Sequence, residues 1–349
     1  MNWKQPKVYA VKHKDEATRA ASRSGGIFTA LSDQVLSNCG VVYGCVLMDD
    51  FNAVHIRADN EEDRNRMRGS KYIQSKLGDT FKSVKADLDA QKSVLFSGTS
   101  CQVAGLKKYL RKEYDNLFCV DIVCHGVPSQ KVWNAYLRWQ EQKNHSKIAS
   151  VDFRNKKDFG WHDHVETLHF ENGKFTSSRV FKELFYGHTV LRPSCYECPY
   201  KSVMHPGDIT IADYWGIEKA APEFDDNKGI SLVLVNNEAG EKAFEKVTAL
   251  YPEKLIIVTL GKDGALYHLE GKKDVISGKA LQPVDTTGAG DAFVGGLLAG
   301  LSQHPNWKEN DVLVQIIRQA NACGALATTA KGAMSALPNK AQLAAFLAS

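Results

Sequence analysis

The stretch Ser93-Val94-Leu95-Phe96-Ser97-Gly98-Thr99-Ser100-Cys101-Gln102-Val103-Ala104-Gly105-Leu106-Lys107-Lys108-Tyr109-Leu110 decides the fold class. Ser93 to Phe96 is a short apolar run, which suits a buried strand. Ser97-Gly98-Thr99-Ser100 reads as a turn, and a helix follows through Tyr109. The alternation repeats on both sides. Val41 to Leu47 reads as a strand and Lys82 to Leu88 as a helix. Leu117 to Val123 is a second buried strand, and Val132 to Gln142 a further helix. Gly25-Gly26 precedes a helical run from Ile27 to Leu36. Strand and helix in alternation predict an α/β fold.

Further along, the pattern from Val151 to Val180 becomes strand and turn, with Asn172-Gly173 a hairpin turn. Ile230 to Val235 reads as a strand and Glu241 to Val247 as a helix. Leu255 to Thr259 opens a second part as another buried strand. A two-strand ribbon follows, at Ala265 to Leu269 and Asp274 to Gly278. Three helices close the chain, at Ala292–Leu301, Val312–Thr329 and Gln342–Leu347. No Gly/Ser/Pro linker marks the passage between the parts.

At 349 residues the chain has room for two domains. A hydrophobic content of 43% and a charged content of 24% are those of a globular protein. The net charge of +4 is small for this length and argues against a nucleic-acid binder. No apolar run approaches the ~18 residues of a membrane span. Met1 to Lys14 is polar and has no signal-peptide core, so a cytoplasmic location is expected.

Eight cysteines in a cytosolic chain point to metal or redox chemistry rather than disulfides. Seven precede residue 200, and only Cys323 follows it. Cys195-Tyr196-Glu197-Cys198-Pro199 is a C-x-x-C followed by proline. Cys101 and Cys124 each follow a buried strand, where α/β sheets place ligands. These four could complete an iron–sulfur site. Zinc suits four thiolates equally well, and an unmetallated C-x-x-C with buried thiols is the plainest alternative. Cys39, Cys45 and Cys119 lie in or beside apolar runs and are expected in the core. His162, Asp163, His164 and His169 read as a solvated strand face.

Six ordered strings make the first part specific: SGGIFTAL (24–31), RGSKYIQS (68–75), GTSCQVAGLKKYL (98–110), VCHGVPS (123–129), RPSCYECPYK (192–201) and DITIADYWGIEK (208–219). Together they resemble the coenzyme F-420 hydrogenase/dehydrogenase beta-subunit family over residues 7–247. The resemblance implies a mixed-sheet oxidoreductase domain carrying FAD and a 4Fe–4S cluster. It implies cluster ligands at Cys101, Cys124, Cys195 and Cys198. Flavin contacts fall at Ser24, Gly25, Gly26, Lys71, Gly98, Thr99 and Ser100. Ser100 stands where the family usually has proline. The substrate would be the deazaflavin coenzyme F-420, a chlorophyll precursor or another small molecule. Many members begin with a ferredoxin-like cysteine-rich stretch. The resemblance starts after it, so a ferredoxin or a hydrogenase/dehydrogenase subunit is the expected electron partner.

The string VDTTGAGDAFVGGLLAGL (284–301) places an acidic, glycine-rich loop before an apolar helix. Small residues at a helix start offer backbone N–H groups to an anion. A carboxylate beside that anion can take a proton from an attacking hydroxyl. With LIIVTLGKDGALY (255–267) and NACGALATTAKGAMSALP (321–338), it resembles the C-terminal part of the ribokinase/PfkB sugar-kinase family, fructokinase-like members above all. The resemblance implies Asp291 as catalytic base and Gly288, Ala289 and Gly290 as the anion hole. Gly261, Gly264 and Asn321 would border ATP, used with Mg. Asp285, Thr287, Ala327, Ala330 and Gly332 match monovalent-cation (K) positions.

The expected organisation is thus an oxidoreductase domain at 1–248 and a partial ribokinase-like α/β fragment at 249–349. Such a fragment lacks the kinase's sugar-binding residues and lid. It should expose strand edges and an apolar face, and without a positioned sugar Asp291 should support little phosphorylation. Redox chemistry with an appended inactive kinase fragment is the favoured reading. An active sugar kinase and a non-functional fusion product are the alternatives.

Overall fold

A computed structural model describes residues 3, 5–249, 255–269, 272–279, 281–332 and 336–348. The expected join runs through residues 248–254, of which 250–254 lie outside the described residues. The chain divides into two compact units, Met1–Val247 and Thr248–Ser349.

The first unit is built on a seven-stranded sheet with β1 (Lys7–Val11), β2 (Val41–Leu47), β3 (Ala53–Ala58), β4 (Val94–Thr99) and β5 (Leu117–Ile122). A separate three-stranded sheet follows, with β6 (Ile148–Asp152), β7 (Glu166–Phe170) and β8 (Phe175–Ser178). The large sheet is completed by β9 (Ile209–Asp213) and β10 (Ser231–Val235). Its order is β1-β10-β9-β5-β4-β2-β3. The four central strands β2, β4, β5 and β9 run parallel, and β1, β10 and β3 are antiparallel to their neighbours. This is the expected mixed α/β architecture.

Val94, Leu95 and Phe96 are fully buried, as their unbroken apolar run requires of a central parallel strand. Helices Thr80–Asp89 and Ser100–Leu110 pack Val84, Leu88, Val103 and Leu106 onto one face. The small sheet packs on helix Gln130–Asn144 through Trp133, Tyr136 and Leu168. Strands β1, β3 and β9 and helix Val180–Tyr186 were not among the elements expected from the sequence. β3 reads Ala-Val-His-Ile-Arg-Ala, an edge strand whose polar residues mask its alternation.

The second unit is an antiparallel meander, β11 (Ile256–Thr259), β12 (Ala265–Leu269) and β13 (Lys272–Ile276). Helices Ala289–Gln303 and Asn310–Ala327 supply Phe293, Leu313, Ile317 and Ala320 to a core with Ala265, Tyr267 and Leu269. Among the described residues, β11 and β13 each pair on one side only. Val284, Val294, Leu298 and Leu337 are exposed.

Candidate functional site

Sheet register brings distant segments to one edge of the first unit. Thr99 on β4 pairs with Ile122 on β5, and Ile122 pairs with Ile211 on β9. Asp213, at the end of β9, pairs with Ser231, which pairs with Val11 at the end of β1. The turn at Gly25 lies on this last pair, because a Cβ there would come within 2.1 Å of the Val11 carbonyl oxygen and 2.5 Å of the Ser231 nitrogen. Cys101, Cys124, Asp213 and the Ser24–Gly26 turn therefore share the carboxyl edge of the parallel strands, the usual place for ligands in open α/β sheets.

The four cysteines expected to act together converge there. Cys101 is the second residue of its helix, with Sγ 3.1 Å from Thr99 Oγ1. Cys124 lies two residues beyond the end of β5. Cys195 and Cys198 lie on a segment tied back to the Cys124 loop. The Arg192 N–H donates to the Val127 carbonyl at 3.0 Å, and Pro128 bridges Leu191. Gly126 has φ +144°, and a Cβ there would meet Leu191 at 2.8 Å and Cys195 at 3.4 Å. Cys101 and Cys124 are exposed and Cys195 and Cys198 half-buried; the crowding of protein around the Cys124 sulfur, and then the nearby charge of Cys101, Cys195 and Cys198, push its thiol upward. Among the described residues no three cysteine sulfurs lie within 4.8 Å of one another. Thiolates sharing a single zinc would sit roughly 3.8 Å apart, from Zn–S bonds of about 2.3 Å in tetrahedral geometry. Of the others, Cys119 is buried in the core as expected, and Cys45 is half-buried with its thiol raised by burial. Cys39 departs from expectation: it is exposed, at φ +56°, in the turn closing helix Ile27–Leu36.

The glycine turn is held by backbone and hydroxyl bonds. Ser24 Oγ donates to the Ile230 carbonyl at 2.6 Å, and the Gly25 N–H donates to Ser231 Oγ at 2.9 Å. Gly26, at φ +93°, starts helix Ile27–Leu36 without a side-chain cap. Beside it is a cationic cluster that sequence reasoning missed. Arg23 donates to the carbonyls of Arg154 (2.5 Å) and Trp161 (3.1 Å). Lys156 donates to the carbonyls of Arg19 (2.7 Å) and Ser22 (2.5 Å). Arg154 pairs with Asp213 at 2.5 Å, and its guanidinium lies 5.0 Å from the Trp215 ring centroid. Burial, with neighbouring cations adding, pushes Arg23 down to about 10 and Lys156 to about 8. Arg23 Nε and Arg154 Nε are buried without hydrogen-bond partners. The one local signal was Arg19 and Arg23 just ahead of Ser24.

Lys71 is enclosed by three carbonyls, of Arg66 (3.2 Å), Met67 (2.9 Å) and Arg68 (2.9 Å). Gly98 lies under Gln102, whose amide oxygen would stand 2.9 Å from a Cβ at that position. Thr99 and Gln102 form a capping box. Ser100 turns inward, its Oγ 3.0 Å from His205 Nδ1. The expected histidine face does not form. His162 and Asp163 sit in a turn and a loop, and His164 is buried against Tyr72 and Tyr186, which pushes its imidazole down to about 3. His162 instead contacts Asp225 at 2.6 Å, and Trp161 stacks on Trp215 with centroids 5.0 Å apart.

In the second unit, Gly288 at φ +82° caps helix Ala289–Gln303, so the helix begins three residues before the expected Ala292. Ala289, Gly290 and Asp291 form its first turn, and Asp291 is exposed. Asp285 accepts from the N–H groups of Thr287 (3.0 Å) and Gly332 (3.1 Å), which hold its carboxyl below the usual range. Its own N–H donates to the Thr328 carbonyl at 3.2 Å. Asp285, Thr287 and Gly332 are thus gathered beside the end of helix Asn310–Ala327, with Ala327 its last residue and Ala330 between Thr328 and Gly332. Gly261 and Gly264 flank the β11–β12 turn at φ +61° and +102°, and Asn321 Nδ2 donates to the Ile276 carbonyl at 2.9 Å.

Comparison with known proteins finds two different families along the chain. Residues 91–252 match the family model for the C terminus of the coenzyme F420 hydrogenase/dehydrogenase beta subunit. Residues 222–340 match that of the pfkB family carbohydrate kinases. The two matches overlap at 222–252, where β10 is paired with β1 and β9 inside the first unit. A chain of the F420-reducing [NiFe] hydrogenase complex from Methanosarcina barkeri aligns over 70% of this chain and 79% of its own, with 17% identity and a TM-score of 0.50, a likeness of fold. The fructokinase of Vibrio alginolyticus is 53% identical over 116 residues, 33% of this chain and 38% of that protein. The aminoimidazole riboside kinase of Salmonella typhimurium (strain LT2) is 52% identical over 93 residues, 27% of this chain and 29% of that protein. The chain spans well under half the length of these curated kinases. No described helix is long and apolar enough to cross a membrane.

Proposed function

We propose that the first unit is a flavin- and iron–sulfur-dependent oxidoreductase, and that the kinase fragment is an inactive appendage. The observation that carries the reading is the meeting of Cys101, Cys124, Cys195 and Cys198 at the carboxyl edge of β4 and β5. Their sulfurs are near enough for each to act on Cys124. Four cysteines from three segments meeting at one sheet edge suit a multi-iron cluster with a thiolate at each corner. Such a cluster, when bound, carries single electrons.

The flavin would lie along the same edge, on the Ser24–Gly26 turn and the Gly98–Thr99 turn. Support comes from the uncapped helix start at Gly26 and from the buried charge of Arg154, paired with Asp213, beside the half-buried Arg23 and Lys156. An anionic diphosphate would relieve the excess of positive charge. Ser100, held by His205, supports the turn from beneath. F-420 is a candidate acceptor, and an electron-transfer protein the candidate donor. In the second unit Asp291 has a helix start beside it but no sugar-binding half to position a hydroxyl.

The test is anaerobic purification followed by iron, sulfide and flavin determination and an absorption spectrum. Iron and flavin are expected. Their joint absence sinks the redox reading, and unchanged iron content in Cys195→Ser sinks the ligand assignment. Incubation with ATP and a panel of sugars should give no turnover. Turnover abolished by Asp291→Asn would reverse the assignment of the second unit.

A further inference from the structure

The four cysteines sit on three chain segments, and one buried polar group touches all three. Ser100, which precedes Cys101, is 3% exposed. Its Oγ lies 3.0 Å from His205 Nδ1. The same nitrogen lies 3.2 Å from Asp121 Oδ2, on the fully buried carboxylate three residues before Cys124. His205 belongs to the loop that leaves Cys195-x-x-Cys198.

The surroundings are built to hold this contact. The other oxygen of Asp121 accepts from the Thr210 hydroxyl at 2.6 Å. Gly207 lies directly over it, since a Cβ there would be 2.5 Å from Asp121 Oδ1. Lys107, on the Cys101 helix, donates to the Pro206 carbonyl at 2.6 Å. Asp208 exchanges bonds with Cys119 on β5: its N–H donates to the Cys119 carbonyl at 2.8 Å, and its Oδ2 accepts the Cys119 N–H at 2.7 Å. Because a carboxylate only accepts, the Asp121 contact places the proton on His205 Nδ1, and Ser100 Oγ shares it. A buried carboxylate is tolerated only when its oxygens are satisfied, so the loop bearing His205 is drawn onto β5 and the helix start together.

We propose that Ser100, His205 and Asp121 form a clasp that sets the spacing of Cys101, Cys124 and the Cys195–Cys198 pair. They are positioning residues, and the proposal rests on the iron–sulfur reading above. Groups of this kind behind metal ligands typically change metal retention by about 10–100-fold. The clasp also accounts for serine at position 100: proline there would have no hydroxyl for His205.

The test compares the full chain with Ser100→Ala, His205→Ala, His205→Asn and Asp121→Asn, with Tyr136→Phe as a control in the unrelated Glu166–Tyr136–Gln140 network. Three quantities are measured: the rate of iron loss to a chelator, the electron paramagnetic resonance spectrum of the reduced protein, and the alkylation rate of each cysteine in iron-free protein. Iron loss should quicken roughly tenfold or more in His205→Ala and Asp121→Asn, and less in Ser100→Ala. The resonance lines should shift, Cys124 should alkylate faster, and His205→Asn should recover part of each change. Iron retention and spectra unchanged in His205→Ala would overturn the clasp while leaving the cofactor assignment intact. If the unmutated chain binds no iron, the cofactor reading falls, and unchanged alkylation rates then overturn the clasp separately. Iron loss that only tracks loss of circular dichroism in every variant would reduce the clasp to fold stability and overturn it as well.

Discussion

Lys71 carries an ammonium surrounded by carbonyl dipoles rather than by a carboxylate, and burial lowers it to about 8. An unfolded lysine titrates near 10.4. Between these values the unfolded chain holds more protons than the folded one, so stability rises with pH across that window. Urea unfolding at about pH 7.5 and 9.5 should give a larger gain for the unmutated protein than for Lys71→Met. An equal gain in both would show that Lys71 is not desolvated. If Lys71 contacts an anionic flavin, binding near pH 9 should take up protons, measurable by calorimetry in buffers of different ionisation enthalpy. At this scale the cysteines, the glycine turns and Lys71 were legible as motifs. Arg23, Arg154, Lys156 and His205 were not, because each is an ordinary surface-type residue until the fold buries it.

The decisive element is the strand–turn–helix from β4 into helix Ser100–Leu110. Thr99 and Gln102 close it with a capping box, and Thr99 Oγ1 also reaches Cys101 Sγ at 3.1 Å. Thr99→Ala should cost about 1 kcal/mol of stability, and Thr99→Ser should restore most of it in urea titration. No difference between the two would mean that the cap is idle. The apolar run and turn made this element readable from sequence, and the same holds for β5 and helix Gln130–Asn144. Other elements were obscured by their composition. The helix at Ala289 starts early because Gly288 adopts φ +82°, a conformation that composition alone does not announce in a Gly-Ala-Gly run. The His162–His164 segment alternates like a strand, yet it is a turn because Trp161 and His162 are anchored to Asn227.

At the scale of the whole molecule, two units with separate cores carry two separate resemblances. Val294 (40%) and Leu298 (52%) are exposed four residues apart on helix Ala289–Gln303. Apolar surface of this kind favours association. Sedimentation should therefore find concentration-dependent self-association, reduced by Leu298→Lys. Identical profiles would place the contact elsewhere or deny it. By itself the sequence determined the α/β class and the change of character near residue 248, and its motifs singled out four cysteines as candidates. These depend on local periodicity, turn chemistry and short motifs, which neighbouring residues encode. Only the tertiary structure decided that β10 lies between β1 and β9 in the large sheet. It alone brought Arg23 to Arg154 and Ser100 to His205, because strand order is set by burial across the whole sheet and joins residues more than a hundred positions apart.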